Sequence, residues 1–422
     1  MKVLIDGLNF ELAHGTGIKT FARSAMTALA SSGHELGLLS EQNIRQVQFV
    51  SPIDGYLAGL TASGNKKRSL TTKLLTAYRL LNQRLKTDIL IEDRDLLASI
   101  SGCNQWHDLD SIRIRPSLFT KAFVRSSLGL GMQPIHDCKD IDALFLTSPI
   151  PVYLPDRLNV LTIHDLIPLS HPRLIDRWEV IAKAFGSTLH DGLKRADKVI
   201  CMSETSKNEI LKRFAVNESK LQVIYQPCRY ATERTSFDQE QRANILASMN
   251  LRDEPFVLFV GAIEPKKNLL NVLKAVAQNP TIPKLVIVGP FAWSSNQEQA
   301  IIQQMKDRVV HLGFVSDIEL QALQQSALAC VFPSIVEGFG LPALEAIWNG
   351  SPCVLSDIPV FRELFADNQY FVNPHNPGEI GAAILQACNA DTQYRQALSS
   401  YVKERYSMQQ FEASLKKVFN KS

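Results

Sequence analysis

One stretch constrains the chain more than any other: Val331 to Asp357, VFPSIVEGFGLPALEAIWNGSPCVLSD. The apolar runs Ala329 to Phe332 and Cys353 to Leu355 read as buried strands, and the residues between them as one short helix. Pro342 suits the first helical position and Gly350 suits the residue after the last. Ahead of it stands Glu337-Gly338-Phe339-Gly340. Two closely spaced glycines let backbone approach a ligand and present free amides. At a helix N-terminus such amides form an anion site. Glu337 and Glu345 frame this site, and their charge repels an anion. They are better placed to accept hydrogen bonds from the hydroxyls of a polyol beside a phosphate. The local chemistry reads as sugar plus phosphate.

The rest of the chain repeats strand, loop and helix. Lys2 to Asp6 is a buried parallel strand, followed by Gly15-Thr16-Gly17 and an amphipathic helix from Ile18 to Ser31. The amides around Gly15 and Gly17 can cradle phosphate, or the glycines can serve a plain tight turn. The loop lacks the G-x-G-x-x-G spacing and the following acidic residue of a dinucleotide site. His164 and Asp165 end the strand-like run that closes at Ile163, where parallel sheets open onto their crevice. Residues 226–252 are polar and mark a boundary. Phe256 to Val260 begins a second strand series, and its first loop, GAIEPKKN, sets Lys266 and Lys267 ahead of a helix. Asn268 is expected to cap that helix. Two cations with free amides suit a diphosphate.

Residues 41–140 diverge from this alternation. Between Gly55 and Thr87 lie seven basic residues, Lys66, Lys67, Arg68, Lys73, Arg79, Arg84 and Lys86, and no acidic one. Leucines recur there at helical spacing, and Ser117 to Leu130 repeats the theme. Such helices suit an anionic membrane surface. They equally suit a packed helix with a solvated basic face. D-x-D motifs at Asp93 and Asp95 and at Asp108 and Asp110 match a metal-binding pattern, but two matches in one region show how cheap it is.

The whole chain excludes some classes. A net charge of +3 over 422 residues makes no case for nucleic acid. Seven scattered cysteines with no C-x2-C pair give neither a zinc signature nor a disulfide framework, and fit a reducing compartment. The opening MKVLIDGLNF, with Asp6 inside it, reads as a strand rather than a signal peptide, and no run of 18 apolar residues spans a membrane. The expected location is cytoplasmic, with peripheral contact at the inner face of the membrane if the basic helices engage lipid.

The string E-G-F-G-L-P-x-L-E-A at Glu337 to Ala346 resembles the E-x7-E motif of the GT4-like retaining GT-B glycosyltransferases. Gly15-Thr16-Gly17-Ile18, the T-I-H-D-L-I-P segment around His164 and the E-P-K-K-N loop resemble that family too. So does Gly313 to Asp317, the strand end and loop that cover the nucleotide base. Lys266 stands where the family often has Arg, and Gln226-Pro227-Cys228 stands for its usual Asn-Gly. The resemblance covers residues 1–35 and 142–420. It implies an α/β GT-B fold, two Rossmann-like doubly wound domains facing across a cleft. The expected division is an acceptor-side domain at 1–226, a sugar-nucleotide domain at 227–400 and a helix at 401–422 crossing back to the first domain.

The implied activity is hexose transfer with retention, from a GDP- or UDP-linked sugar to a glycan or lipid-linked acceptor in bacterial surface polysaccharide synthesis. No catalytic metal and no further cofactor are implied. The E-P-K-K-N subtype points to GDP-mannose. In the implied site Lys266 and Lys267 neutralise the leaving diphosphate, with Gly15 and Gly17 assisting. Glu337 and the backbone of Gly338, Phe339, Gly340 and Leu341 hold the donor sugar. Val315 lies at the base, Glu345 accepts ribose hydroxyls, and His164 lies near the reacting carbon. Retention would proceed by front-face attack, with a donor phosphate oxygen as base. An inactive GT-B scaffold subunit, a GT-B phosphorylase and a nicotinamide oxidoreductase are the alternatives; the last lacks its fingerprint.

Overall fold

The structure is a computed structural model. It describes residues 1–10, 17–41, 89–92, 108–231, 237–293, 295–365, 367 and 369–420. Gly15, the basic stretch at 55–87, and Asp93 with Asp95 lie outside these residues.

Two parallel sheets dominate. The first holds β1 (Lys2–Asp6), β2 (Glu35–Ser40), β3 (Ile89–Ile91) and β4 (Ser111–Ile114). After a two-residue strand, β5 (Gln133–Pro134), it continues with β6 (Ala143–Leu146). A second such strand, β7 (Val152–Tyr153), pairs with β5, and then come β8 (Leu158–Ile163), β9 (Lys198–Cys201) and β10 (Leu221–Val223). The order is β10-β9-β8-β6-β1-β2-β4-β3, and β3 alone among these runs antiparallel to its neighbour. The second sheet holds β11 (Phe256–Val260), β12 (Lys284–Val288), β13 (Val309–Gly313), β14 (Ala329–Phe332), β15 (Cys353–Ser356) and β16 (Tyr370–Val372). Its order is β13-β12-β11-β14-β15-β16, and every pair is parallel. Strands covered on both faces read as unbroken apolar runs, which is why FVLFV and ACVF are buried throughout.

Each sheet reverses its winding once, between β1 and β6 and between β11 and β14. Loops leaving the carboxyl ends of strands at such a reversal splay apart and leave a ligand crevice. The loop after β11 carries Lys266 and Lys267, and the loop after β14 carries Glu337 to Gly340. In the first sheet β6 delivers Thr147, and its neighbour β8 delivers His164.

Helix α1 (Gly17–Ser31) buries Phe21, Ala22, Ala25, Met26, Ala28 and Leu29 on one face, the stripe its sequence presents. The family-divergent region yields α2 (Leu118–Ser127), whose Leu118, Phe119 and Ala122 are core residues. After β8 come a 3-10 turn, Pro172–Leu174, and α3 (Trp178–Arg195), with Arg177 left-handed between them. Helix α4 (Glu204–Arg213) follows β9, and Ser203 caps it by accepting from the Ser206 amide at 3.0 Å. Residues 226–252, expected as a boundary, contain a 3-10 turn at Arg229–Ala231 and α5 (Gln239–Ser248) with a capping box at Asp238.

The second domain adds α6 (Leu269–Gln278), α7 (Asn296–Gln304), α8 (Asp317–Ser326), α9 (Leu341–Trp348), α10 (Pro359–Leu364) and α11 (Pro377–Cys388). Helices α12 (Thr392–Arg405) and α13 (Met408–Phe419) close the chain. Helix α13 lies on α1: Phe411 meets Phe21 edge to face at 5.8 Å, and Ser31 donates to Glu412 at 3.1 Å. The end of the chain thus packs on its first helix. Among the described residues no helix is long and apolar enough to cross a membrane.

Candidate active site

The site forms where the two sets of carboxyl-end loops meet. Gly338 touches the first domain: a Cβ built there would lie 2.8 Å from Cβ of Asp165 and 3.2 Å from the carbonyl oxygen of His164. Any side chain at 338 would hold the loops apart. Gly17 makes the reciprocal approach, with its virtual Cβ 2.9 Å from Leu341. Gly17 and the start of α9 therefore sit together, and Gly15 lies outside the described residues.

Lys267 and Glu337 are paired. Lys267 Nζ lies 2.6 Å from Glu337 Oε1, and Ser334 Oγ donates to the same oxygen at 2.7 Å. Burial pushes the Glu337 carboxyl up, but Lys267, the Ser334 hydroxyl and Lys266 outweigh it and hold the group below its ordinary value. Lys266 pairs with Glu264 at 3.2 Å. Burial lowers its ammonium, but Glu264, Glu337 and Asp165 raise it further, so it stays charged. Across the cleft, burial raises the Asp165 carboxyl, opposed by the Ile167 amide and by both lysines.

Asn268 does not cap its helix. It is left-handed, with φ 59°, and makes no side-chain cap bond. Its amide instead donates to the carbonyls of Pro333 at 2.8 Å and Pro374 at 2.7 Å. The Ile335 amide donates to the Lys266 carbonyl at 2.8 Å. These bonds fasten the basic loop to the glycine loop beside it, which is a different use for Asn268 from the expected one.

Gly340 begins α9 at φ 93°, a conformation that strains any residue with a Cβ, and Pro342 sits in the first turn. The Phe339 ring turns away into the core, edge-on to Tyr406 at 5.9 Å, so this residue can offer a ligand its backbone. Val315 is half-buried between the exposed Phe314 and Ser316, which caps α8 through a capping box with Glu319.

His164 donates through Nε2 to the Thr147 carbonyl at 2.8 Å. Burial lowers its imidazole to about 4, partly opposed by that bond. The ring is therefore neutral near neutral pH, and with Nε2 protonated its Nδ1 carries a lone pair. Beneath it the fully buried Asp6 accepts from the Thr147 amide, and burial raises its carboxyl to about 6.

Glu345 is buried and paired with a residue the motifs did not flag. Arg229 Nε lies 3.1 Å from Glu345 Oε1, and Arg229 Nη1 lies 2.6 Å from Asp317 Oδ1. Burial raises the Glu345 carboxyl to about 7, opposed by Arg229 and reinforced by Asp317. The one sequence signal was a cation just after Gln226-Pro227-Cys228, the place where the chain departs from the turn of the family it resembles. Asp108 and Asp110 do local work: they accept from Thr27 Oγ1 at 3.1 Å and from the Leu36 amide at 2.9 Å.

Residues 241–405 match the family described as glycosyl transferases group 1. Over this segment, about two fifths of the chain, the sequence is similar to that family. The match takes in Lys266, Lys267, Glu337 to Gly340 and Glu345. The O-antigen chain mannosyltransferase RfbU of Salmonella typhimurium is 31% identical over 231 residues, covering 54% of this chain and 60% of that protein. The O-antigen chain mannosyltransferase B of Escherichia coli is 29% identical over 256 residues, covering 57% of this chain and 64% of that one. The chain thus spans under two thirds of each relative's length. Sucrose-phosphate synthase from Thermosynechococcus elongatus shares the fold at TM-score 0.67 and 16% identity, over 99% of this chain and 98% of that one. HepE of Anabaena, solved with UDP-glucose, does so at TM-score 0.63 and 15% identity, over 99% and 98%. The glycosyl transferases group 1 segment here is the second half of a GT-B fold.

Proposed function

We propose that the chain is a retaining hexosyltransferase of surface polysaccharide synthesis, taking its sugar from a nucleoside diphosphate, with GDP-mannose the favoured donor. One observation carries this reading. Lys266, Lys267, Glu337 and the amides from Gly338 to Leu341 stand at one winding reversal, directly against His164 and Asp165 of the other domain. The mannosyltransferase names of the two relatives support the choice of sugar.

In this reading the diphosphate lies between the two lysines and the start of α9, where cations and amides meet the charge that grows as the sugar leaves. Glu337 grips the donor sugar, and Glu345 takes the ribose hydroxyls. The neutral His164 acts through its Nδ1 lone pair, accepting from a sugar hydroxyl rather than donating positive charge. The incoming acceptor hydroxyl attacks on the face the diphosphate leaves, and a donor phosphate oxygen takes its proton. Lys266 and Lys267 supply the cationic side chains at the diphosphate, so activity is expected to survive removal of divalent metals by EDTA.

The test is a thermal-shift panel of GDP, UDP, dTDP, ADP and NAD, followed by transfer assays with the sugar nucleotide that stabilises most. Stabilisation by one nucleoside diphosphate and an α-linked product from an α-linked donor are expected. A shift with NAD alone, or with none of the five, would overturn the reading.

A further inference from the structure

Glu345 poses a physical problem that the family motif does not solve. It lies 7% exposed in the first turns of α9, and its carboxyl is pushed to about 7 by burial. A protonated carboxyl offers one acceptor fewer and donates where a ribose hydroxyl also donates. Something must keep this group ionised and aimed, and the structure sets one cation directly against it.

We propose that Arg229, on the connection between the domains, is a positioning residue of the nucleoside site: it holds Glu345 as a carboxylate and ties α9 to the start of α8. The guanidinium lies between two carboxylates, 3.1 Å from Glu345 and 2.6 Å from Asp317. Its Nη2 donates to Tyr230 Oη at 3.2 Å, and that hydroxyl donates to Gln324 of α8 at 3.2 Å. Asp317 begins α8 immediately after the Gly313 to Ser316 loop. Arg229 therefore links the loop expected at the base with the helix expected at the ribose. A planar fork suits this double engagement in a way an ammonium does not. The inference rests on the donor-site reading given above.

The groups that bear on Glu345 come from every element around α9. The connection supplies Arg229, Tyr230 and Cys228, and α8 supplies Asp317. Lys403 and Arg395 stand on α12, which packs along α9. Cys330 and Cys353 lie on the strands beneath, and burial pushes the Cys353 thiol far up, so it carries no charge. Arg229 opposes protonation of Glu345, and Asp317 favours it.

The opposite signs give the test. Calorimetric titrations would compare the stabilising nucleoside diphosphate with its 2′,3′-dideoxy form across pH. The proteins would be the wild type, Arg229→Met, Arg229→Lys and Asp317→Asn, with thermal melts as the folding control. In the wild type the preference for the ribose form is expected to fall as pH drops through about 7, where Glu345 takes its proton. In Arg229→Met that midpoint rises by about one pH unit or more and the ribose preference at neutral pH shrinks about tenfold. Arg229→Lys restores part of it. Asp317→Asn, at a carboxylate whose side chain is 73% exposed, keeps its fold and moves the midpoint down.

An unchanged ribose preference and midpoint in Arg229→Met overturns the proposal, and so does tighter binding, which would make Arg229 a blocking contact. Should Arg229→Met not fold, an unmoved or raised midpoint in Asp317→Asn overturns it instead. Equal wild-type binding of the two forms removes the ribose role of Glu345, and the proposal with it, while nucleotide binding stands. No wild-type binding of any nucleoside diphosphate overturns the donor-site reading beneath.

Discussion

Lys267 Nζ sits 2.6 Å from Glu337 Oε1, so the cation expected at the diphosphate and the carboxylate expected at the sugar are in direct contact. Both side chains are largely buried, at 16% and 10% exposure. A pair of this kind resists removal of one member, because the other is left as an uncompensated buried charge.

Lys267→Ala is therefore expected to act twice. It should lower kcat/KM by about 1.5–3 kcal/mol of transition-state stabilisation, the worth of a charged hydrogen bond. It should also destabilise the fold by on the order of 3 kcal/mol through the stranded carboxylate. Adding Glu337→Gln should recover much of the stability and none of the activity. Urea melts and steady-state kinetics on the double-mutant cycle check both parts. A single mutant with unchanged kcat/KM would remove Lys267 from the mechanism.

The two glycines of the motif are expected to fail differently. Gly340→Ala places a Cβ 2.4 Å from the Phe361 ring at φ 93°, within one domain. It should lower stability by about 2 kcal/mol from the left-handed conformation alone. Gly338→Ala meets Asp165 and His164, which belong to the other domain. It should leave the melting temperature nearly unchanged and reduce kcat, because the domains no longer close. Equal losses of stability in the two variants would contradict this division.

The stretch from Val331 to Asp357 was legible because each local signal agreed: apolar runs, Pro342 in the first turn, and glycines where backbone must turn or approach. Helix α6 began at Leu269 as read, yet Asn268 was misassigned. Its residue type favours caps, but the neighbouring carbonyls of Pro333 and Pro374 offered its amide a better use, and only the fold brings them there. The same limit hid Arg229. Nothing local in PCRY says that this side chain reaches positions 317 and 345, since the contact depends on how the connection crosses α9. The divergent stretch gave little because its strands β3 and β4 are only three and four residues long, too short to show a period, and its basic segment reads equally as a membrane-facing or a packed helix.

His164 gives a pH prediction with a definite sign. Its folded value of about 4 lies below the ordinary 6.5, so between these values the unfolded chain binds a proton that the folded chain refuses. Stability is lost as pH falls through that window, by about 2 kcal/mol for this partly buried ring. Asp6, raised to about 6, opposes this: the folded state gains a proton before the unfolded state does. His164→Asn keeps a donor for the Thr147 carbonyl and removes the imidazole term. The variant should therefore lose less stability than the wild type between neutral pH and about pH 5. Parallel curves for the two proteins in urea would mean that His164 is charged in the folded state.

The last expectation concerns how the domains stay closed. Glu363, on α10 of the second domain, reaches the N-terminus of α4 in the first. It accepts from the Glu204 amide at 2.6 Å, the Thr205 amide at 2.8 Å and the Thr205 hydroxyl at 2.7 Å. Tyr225 adds a hydroxyl donor at 3.2 Å. A carboxylate at a helix N-terminus satisfies orphan amides and the dipole together. Because Ser203 already caps α4 from within its own domain, Glu363 is not needed for that helix to form. Its bonds hold one domain against the other. Glu363→Ala should leave the melting temperature of each domain nearly intact and weaken closure by on the order of 2 kcal/mol. Small-angle scattering should then show a larger radius of gyration without donor, and the donor KM should rise as binding drives the closure that Glu363 had favoured. Scattering and KM identical to wild type would mean that the interface closes on the Gly338 and Gly17 contacts alone.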